Sequence, residues 1–342
     1  MTRLRQIVLG GLAALALGGA ASSALAEESG TFQNRLNGAT IGLPLGALPP
    51  AGIYSGLETV YLGMVGGPGG IGNQGTLGGT RLALPAIAQA VPVLFVPGWN
   101  FLGASYSFSV VQAFYMGFVG QNVGTLNTPT TGFPGGGGLV SPFTVLANTT
   151  WNPINLSWNV GNGWFVSAGF NFMAPDGSRW AGTPNPDYWT LEPTFAVSYL
   201  ANNWVLSANF FYDINTVSNG PCCIGAGIGS VTSGNALYGD FTAVYKFGKW
   251  EIGPVAYFEA QTTADTGARC AVAGVATGLC VTNASTFDLG ALVGYDFGPV
   301  DVQVWFTQSV SHQNFIDSSI FWTRLGFKLW GPDAPKPLVA KN

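Results

Sequence analysis

From about residue 50 to residue 330, apolar and polar positions alternate with a period of two. In the stretch 204–215, Trp204, Leu206, Ala208, Phe210 and Tyr212 share one face, while Ser207, Asn209 and Asp213 share the other. Around 300–310, Val302, Val304 and Phe306 oppose Asp301, Gln303, Trp305 and Thr307. Around 286–297, Phe287, Leu289, Ala291, Val293, Tyr295 and Phe297 oppose Asp288, Gly290, Gly294 and Asp296. Around 188–199, Trp189, Leu191, Phe195, Val197 and Tyr199 oppose Thr190, Glu192, Thr194 and Ser198. Successive side chains of a strand point to opposite faces, so each segment reads as a strand with one greasy and one wet side. Twelve such strands are expected, the first near residues 53–64 and the last near 320–329. The third is placed near 101–119, the fourth near 152–160 and the sixth near 188–199.

The joints between these strands alternate in length. Gly161-Asn162-Gly163, Ala201-Asn202-Asn203, Gly248-Lys249 and Gly298-Pro299 are short turns. The joints between them are longer and rich in Gly, Thr, Asn, Pro and Cys, as in Gly66 to Gly79 and Gly135 to Gly138. One rim of tight turns and one of long loops is the signature of an outer-membrane barrel. Trp164, Trp189, Trp204, Phe247, Trp250, Phe297 and Trp330 mark strand ends, where aromatic rings favour the membrane interface.

Composition points the same way. Hydrophobic residues make up 47% and aromatics 13%, but charged residues only 8%, against roughly 25% in an ordinary globular chain. After the N-terminal segment, no stretch reaches the ~18 apolar residues of a spanning helix. In lipid every backbone polar group must be paired within the protein, which leaves a closed barrel. The expected fold is therefore all-β: a transmembrane antiparallel β-barrel of about twelve strands, of bacterial outer-membrane type, with the lipid bilayer and the outer-membrane assembly machinery as its partners.

Four regions are expected. Residues 1–26 read as a signal peptide: Arg3 and Arg5, an apolar run from Ile7 to about Ala21, then Ala24-Leu25-Ala26 as the cleavage site. Cleavage leaves 10 basic against 16 acidic residues. Residues 27–50 form an N-terminal extension or possible plug, ending in Pro49-Pro50, which cannot sit inside a ladder. Residues 51–330 form the barrel, and residues 331–342 a periplasmic tail. Pro193 and Pro254 fall in mid-strand, where each removes a ladder donor. They are candidate sites for a kink in the wall.

The barrel reading places a band of ionisable residues inside. Its candidates are Glu58, Glu192, Asp213, Asp240, Glu251, Glu259, Asp288, Asp296, Asp301 and Arg324, with Lys246 and Lys328 beside them. Such a band either lines a polar path or braces the wall with internal ion pairs. Cys222, Cys223, Cys270 and Cys280 fall in two long loops. In an exported chain they are disulfide candidates; Cys270–Cys280 is the simplest pairing, but four cysteines allow three connectivities. No metal site is expected, because the single His312 lies in a different loop and no C-x-x-C spacing exists. That same solitary His, placed in a short loop with Ser311 and Asp317 nearby, argues against catalysis. No cofactor is implied, and no basic patch suggests nucleic acid.

Several of these segments together resemble a known family. They are Leu43-Pro-Leu-Gly-Ala-Leu-Pro-Pro-Ala-Gly-Ile-Tyr54, Ala174-Pro-Asp-Gly-Ser178, Asp187-Tyr-Trp-Thr-Leu-Glu-Pro-Thr-Phe-Ala-Val-Ser-Tyr199, Gly294-Tyr-Asp-Phe-Gly-Pro-Val300 and Phe321-Trp-Thr-Arg-Leu325. In this order they resemble the MetA-pathway phenol-degradation proteins, outer-membrane transporters with a likeness to long-chain fatty-acid channels. The resemblance covers nearly all of the mature chain. It implies passive uptake of small hydrophobic or aromatic solutes, and by analogy a plug formed by residues 27–50. The chain departs from the family in its Gly-rich early loops, its four Cys and its proline-bearing tail. The competing readings are a general diffusion porin and a structural or adhesive barrel with a closed lumen.

Overall fold

A strand in hydrocarbon has unpaired N–H and C=O groups along both edges until it finds two neighbours. In the computed structural model every long strand finds them. The structure describes residues 34–65, 82–121, 141–178, 186–218, 230–267, 284–313, 315 and 317–332. In chain order the strands are β1 (Gly52–Val65), β2 (Leu82–Val96), β3 (Asn100–Phe101), β4 (Ala104–Gln121), β5 (Ser141–Leu146), β6 (Thr149–Gly161), β7 (Trp164–Ala174), β8 (Thr190–Ala201), β9 (Trp204–Asn215), β10 (Ala236–Phe247), β11 (Trp250–Gln261), β12 (Ser285–Asp296), β13 (Val300–Gln313) and β14 (Asp317–Trp330). Each pairs antiparallel with its neighbours, and β1 pairs with both β2 and β14. The sheet is thus a closed barrel. β5 and β6 both pair with β4 and form one stave between them, and β3 is a two-residue extension beside β4. The described residues therefore make twelve staves and no helix.

The short turns are built from residues that tolerate a left-handed backbone. Asn162, Asn202 and Asn203 have φ of 53°, 54° and 64°, and asparagine enters that region more readily than other side chains. Two strands differ from their expected ranges. The third strand begins at Ala104 rather than Phe101, and the fourth is longer than residues 152–160. Pro142 and Pro153 interrupt the period of two in that fourth stave, and the ladder to β7 shifts register between Trp151 and Ile154. His312 was expected in a loop. It lies instead at the end of β13, opposite Thr286, because the β12–β13 ladder runs three residues beyond the alternation read from sequence.

Pro193 and Pro254 do not shift their ladders. Pro193 pairs opposite Phe170 on one side, and on the other the bonded pairs stop at Leu191↔Ile214 and resume at Thr194↔Phe211 in the same register. Pro254 pairs opposite Ala291, and its other ladder stops at Thr242↔Val255 and resumes at Tyr245↔Ile252. Each proline removes a donor and interrupts one of its two ladders for two residues, with the register kept. At Pro254 the strands are pressed together: a Cβ on the adjacent Gly253 would stand 2.1 Å from the Ala243 carbonyl oxygen.

The outer face is a hydrocarbon surface between two aromatic bands. At the short-turn rim, cross-strand rings meet in pairs: Trp164–Tyr199 at 4.9 Å, Trp204–Tyr245 at 5.2 Å and Trp250–Tyr295 at 4.7 Å. At the other rim Trp151, Phe172 and Trp189 form a second group. Between the bands Leu191, Phe195, Ile252, Leu289, Val293, Phe306 and Phe321 are exposed. Such girdles flank the lipid-facing zone of outer-membrane barrels. Leu289→Arg, on this face near the middle of β12, is expected to destabilise the barrel by about 2–4 kcal/mol. The urea midpoint of folding into lipid vesicles measures it; an unchanged midpoint would mean that Leu289 does not face hydrocarbon.

Candidate functional site

The inward face is neither purely polar nor empty. Residues 34–48 run through the interior, from the long-loop rim down to the short-turn rim. Near the short turns, Ser157 and Ser167 donate to the carbonyl oxygens of Gly46 and Leu45 at 2.7 and 2.9 Å, and Gly46 N donates to Ser198 at 3.0 Å. A Cβ on Gly46 would stand 2.7 Å from the Ser198 backbone nitrogen, so only glycine lets the segment lie this close to the wall. Higher up, Gly42 N donates to Thr242 at 2.8 Å. Asp240 gathers three donors: Gly38 N at 3.2 Å, Thr40 N at 3.0 Å and the Thr40 hydroxyl at 2.6 Å. Asn209 donates to the carbonyls of Thr40 and Leu43. Asn37 donates to Glu259 at 2.6 Å, and Asn34 to Thr190 at 2.7 Å. Thr190 opens β8, whose other end is the short turn at Asn202, so Asn34 has reached the long-loop rim.

Apolar contacts complete the packing. Ile41 is fully buried in a cluster with Val60, Leu292, Trp305 and Trp322, a burial that contributes about 1.5–3 kcal/mol. The expected separation, apolar set outside and polar set inside, thus holds outside but not inside. Inward positions also carry Tyr115, Tyr238, Tyr257, Trp305 and Trp322, all buried. The rings of Trp305 and Trp322 stack at 5.3 Å and 8°, and neither indole N–H has an acceptor among the described residues.

Two arginines tie the segment to the wall. Arg324 of β14 donates from Nε to Glu58 at 2.6 Å, from Nη1 to the Ile41 carbonyl at 2.6 Å and to Gln303 at 2.8 Å, and from Nη2 to the Ala39 carbonyl at 2.5 Å. Its guanidinium also lies 4.7 Å from the Trp305 ring centroid. Arg35 of the segment donates from Nη1 to Glu192, and its Nη2 stands 3.6 Å from Asp240. Burial opposes the Arg35 charge, and the carboxylates of Glu192, Asp240 and Asp213 act against that cost.

Of the ten candidates for the inner band, Glu58, Glu192, Asp213, Asp240, Glu259, Asp288 and Arg324 are buried on the inward face. Asp288 accepts from Tyr257 at 2.7 Å, and Asn171 donates to Glu192. Glu251 is half-buried, between Lys246 at 3.5 Å and Gln303 at 2.7 Å. Asp296 and Asp301 stand apart from this group, exposed and opposite each other beside the β12–β13 turn. Lys328 is exposed near the same rim. His312 is exposed at the far end of β13. Among the described residues, no three His, Cys, Asp or Glu are grouped to hold a metal ion. The expected signal peptide, the four cysteines, the two Gly-rich loop stretches and residues 333–342 lie outside the described residues.

Arg35, Asn37 and Thr40 were not among the candidates. One signal marks Arg35: it is the sole basic residue from 27 to 80, set in a run of Gly, Leu and Pro. Nothing in the alternation of the strands could expose it, because its partners are 157 and more residues away.

The family model described as "Putative MetA-pathway of phenol degradation" matches residues 71–325. No curated protein matches the chain. Among solved structures, the chain is similar to the COG4313 outer membrane channel from Pseudomonas putida F1, with 10% identity and a TM-score of 0.61 over 82% of this chain and 97% of that one. It is also similar to the translocator domain of the autotransporter NalP from Neisseria meningitidis, with 10% identity and a TM-score of 0.47 over 82% and 89%. A third similar structure is the Pseudomonas putida toluene transporter TodX, with 11% identity and a TM-score of 0.38 over 89% and 96%. At such identities the first likeness is one of fold.

Proposed function

The chain belongs to the MetA-pathway of phenol degradation family, and from that premise we propose that it is an outer-membrane channel for passive uptake of small hydrophobic or aromatic compounds. The observation that carries the reading is the inner aromatic wall. Trp305 and Trp322 present stacked rings with two buried N–H donors that lack acceptors among the described residues. A phenolic solute supplies both a ring face and an oxygen to accept from an indole. A buried donor left unmade costs about 1–3 kcal/mol, so such a solute is favoured over a plain hydrocarbon of the same size. Transport of this kind needs no catalysis and no cofactor.

In this reading residues 34–48 are a plug. They cross the interior bonded to the wall, which is itself paired all the way round. Solute passage therefore requires the segment to shift. Uptake of labelled phenol by intact cells tests the function. Cells making the protein are expected to take up phenol several-fold faster than cells lacking it, with most of the gain lost in Trp305→Ala. Sugar-driven swelling of protein-loaded liposomes, with no preference for aromatics, would mark a general porin instead. No conductance with any solute would mark a surface barrel with a closed lumen.

A further inference from the structure

Arg35 sits in the interior as a ligand would. Its guanidinium carbon lies 3.2 Å from the ring centroid of Phe211 and 5.9 Å from that of Tyr238. Nη1 lies 3.3 and 3.2 Å from the two Glu192 oxygens. Nη2 lies 3.6 Å from Asp240. All of these partners stand on the wall, on β8, β9 and β10, whereas Arg35 belongs to the separate N-terminal segment.

The fit is loose in a specific way. Arg35 is only 8% exposed, yet Nε and Nη2 make no hydrogen bond among the described residues. Glu192 meets Arg35 through one nitrogen only, its other donor being Asn171, so the bidentate fork that arginine offers a carboxylate is not used. What holds the group is charge and a ring face. Those forces act on any flat cation of this size. Three carboxylates, Glu192, Asp240 and Asp213, act on this one guanidinium. Should the segment withdraw, those buried carboxylates would lose their counter-ion, a costly state. A soluble cation of the same shape relieves it.

We propose that the box formed by Phe211, Tyr238, Glu192 and Asp240 is a binding site for planar organic cations, amidinium or guanidinium in type, and that Arg35 occupies it as an internal competitor. A soluble cation of this class takes the place of Arg35 and releases the segment. The site itself does not depend on the uptake reading; the release rests on it, because conductance reports it.

Benzamidinium is the probe, titrated by calorimetry into detergent-solubilised protein. Arg35→Ala is expected to bind it at least tenfold more tightly than the unmodified protein. Adding Glu192→Gln, or Phe211→Ala, should reverse the gain by tenfold or more. Folding of each variant is checked by its heat-modifiable mobility on gels, and Arg35→Gln substitutes if the alanine variant does not fold. In planar bilayers, benzamidinium should raise the open probability of the unmodified protein and leave Arg35→Ala without further opening. Equal binding with and without Arg35, or binding indifferent to Glu192→Gln, overturns the site. Tight binding with no conductance upholds the site and counts against a channel. Phenol uptake that persists without benzamidinium binding removes the site alone.

Discussion

Arg35→Glu is expected to raise single-channel conductance several-fold and to make the current strongly cation-selective. The substitution sets a fourth carboxylate against Glu192, Asp240 and Asp213, where a cation now stands. Two like charges about 4 Å apart repel by about 4 kcal/mol at an effective dielectric near 20. Against this stand the hydrogen bonds of residues 34–48, each worth about 1 kcal/mol net. Repulsion from several carboxylates at once exceeds what the bonds nearest Arg35 can hold, so the upper half of the segment leaves the wall. The exposed interior then presents seven inward carboxylates, Glu58, Glu192, Asp213, Asp240, Glu251, Glu259 and Asp288, against Arg324 and Lys246. Planar-bilayer recording in a salt gradient gives both conductance and selectivity. Arg35→Lys retains the charge but loses the flat stacking on Phe211, and should fall between the two. Conductance unchanged in Arg35→Glu would show that the segment is not what closes the barrel.

Arg324→Ala should lower stability by about 3–5 kcal/mol, the usual cost of leaving one member of a buried ion pair without its partner. Its position explains the size. Glu58 and Arg324 face each other across β1 and β14, the seam where the first and last strands meet. The same guanidinium holds the Ile41 and Ala39 carbonyls. One substitution therefore loosens the seam and the segment together. Adding Glu58→Gln removes the stranded charge and should restore part of the loss, whereas Glu58→Gln alone should cost less than Arg324→Ala. Equilibrium unfolding in urea from lipid vesicles reads all three. A loss below about 1 kcal/mol in Arg324→Ala would place the pair with ordinary surface ion pairs.

The barrel was legible because lipid enforces its rules locally. An outward position such as Leu289 or Phe306 must be apolar whatever lies across the barrel, and a short turn such as Asn202-Asn203 needs residues that accept a left-handed backbone. The inner wall obeys no such local rule. Trp305 and Leu292 face inward because they pack against Ile41, which is remote in sequence. Glu192 and Asp240 were readable as inward-facing, but not as the two sides of a box for Arg35. The fourth stave was cut short because Pro142 and Pro153 blurred its period. Asp296 and Asp301 alternate correctly yet sit at the water-exposed rim, because alternation fixes a face and not a height along the axis.

The distance in sequence between Arg324 and Ala39, 285 residues, sets an order of events during biogenesis. Residues 34–48 are made before any strand, yet almost every group that receives them lies on β6 to β14. They have no berth until the last stave is in place. Loop-closure entropy makes such remote docking the slow kind of step, so a stretch made before every strand is expected to settle last, into a cylinder already sealed in lipid.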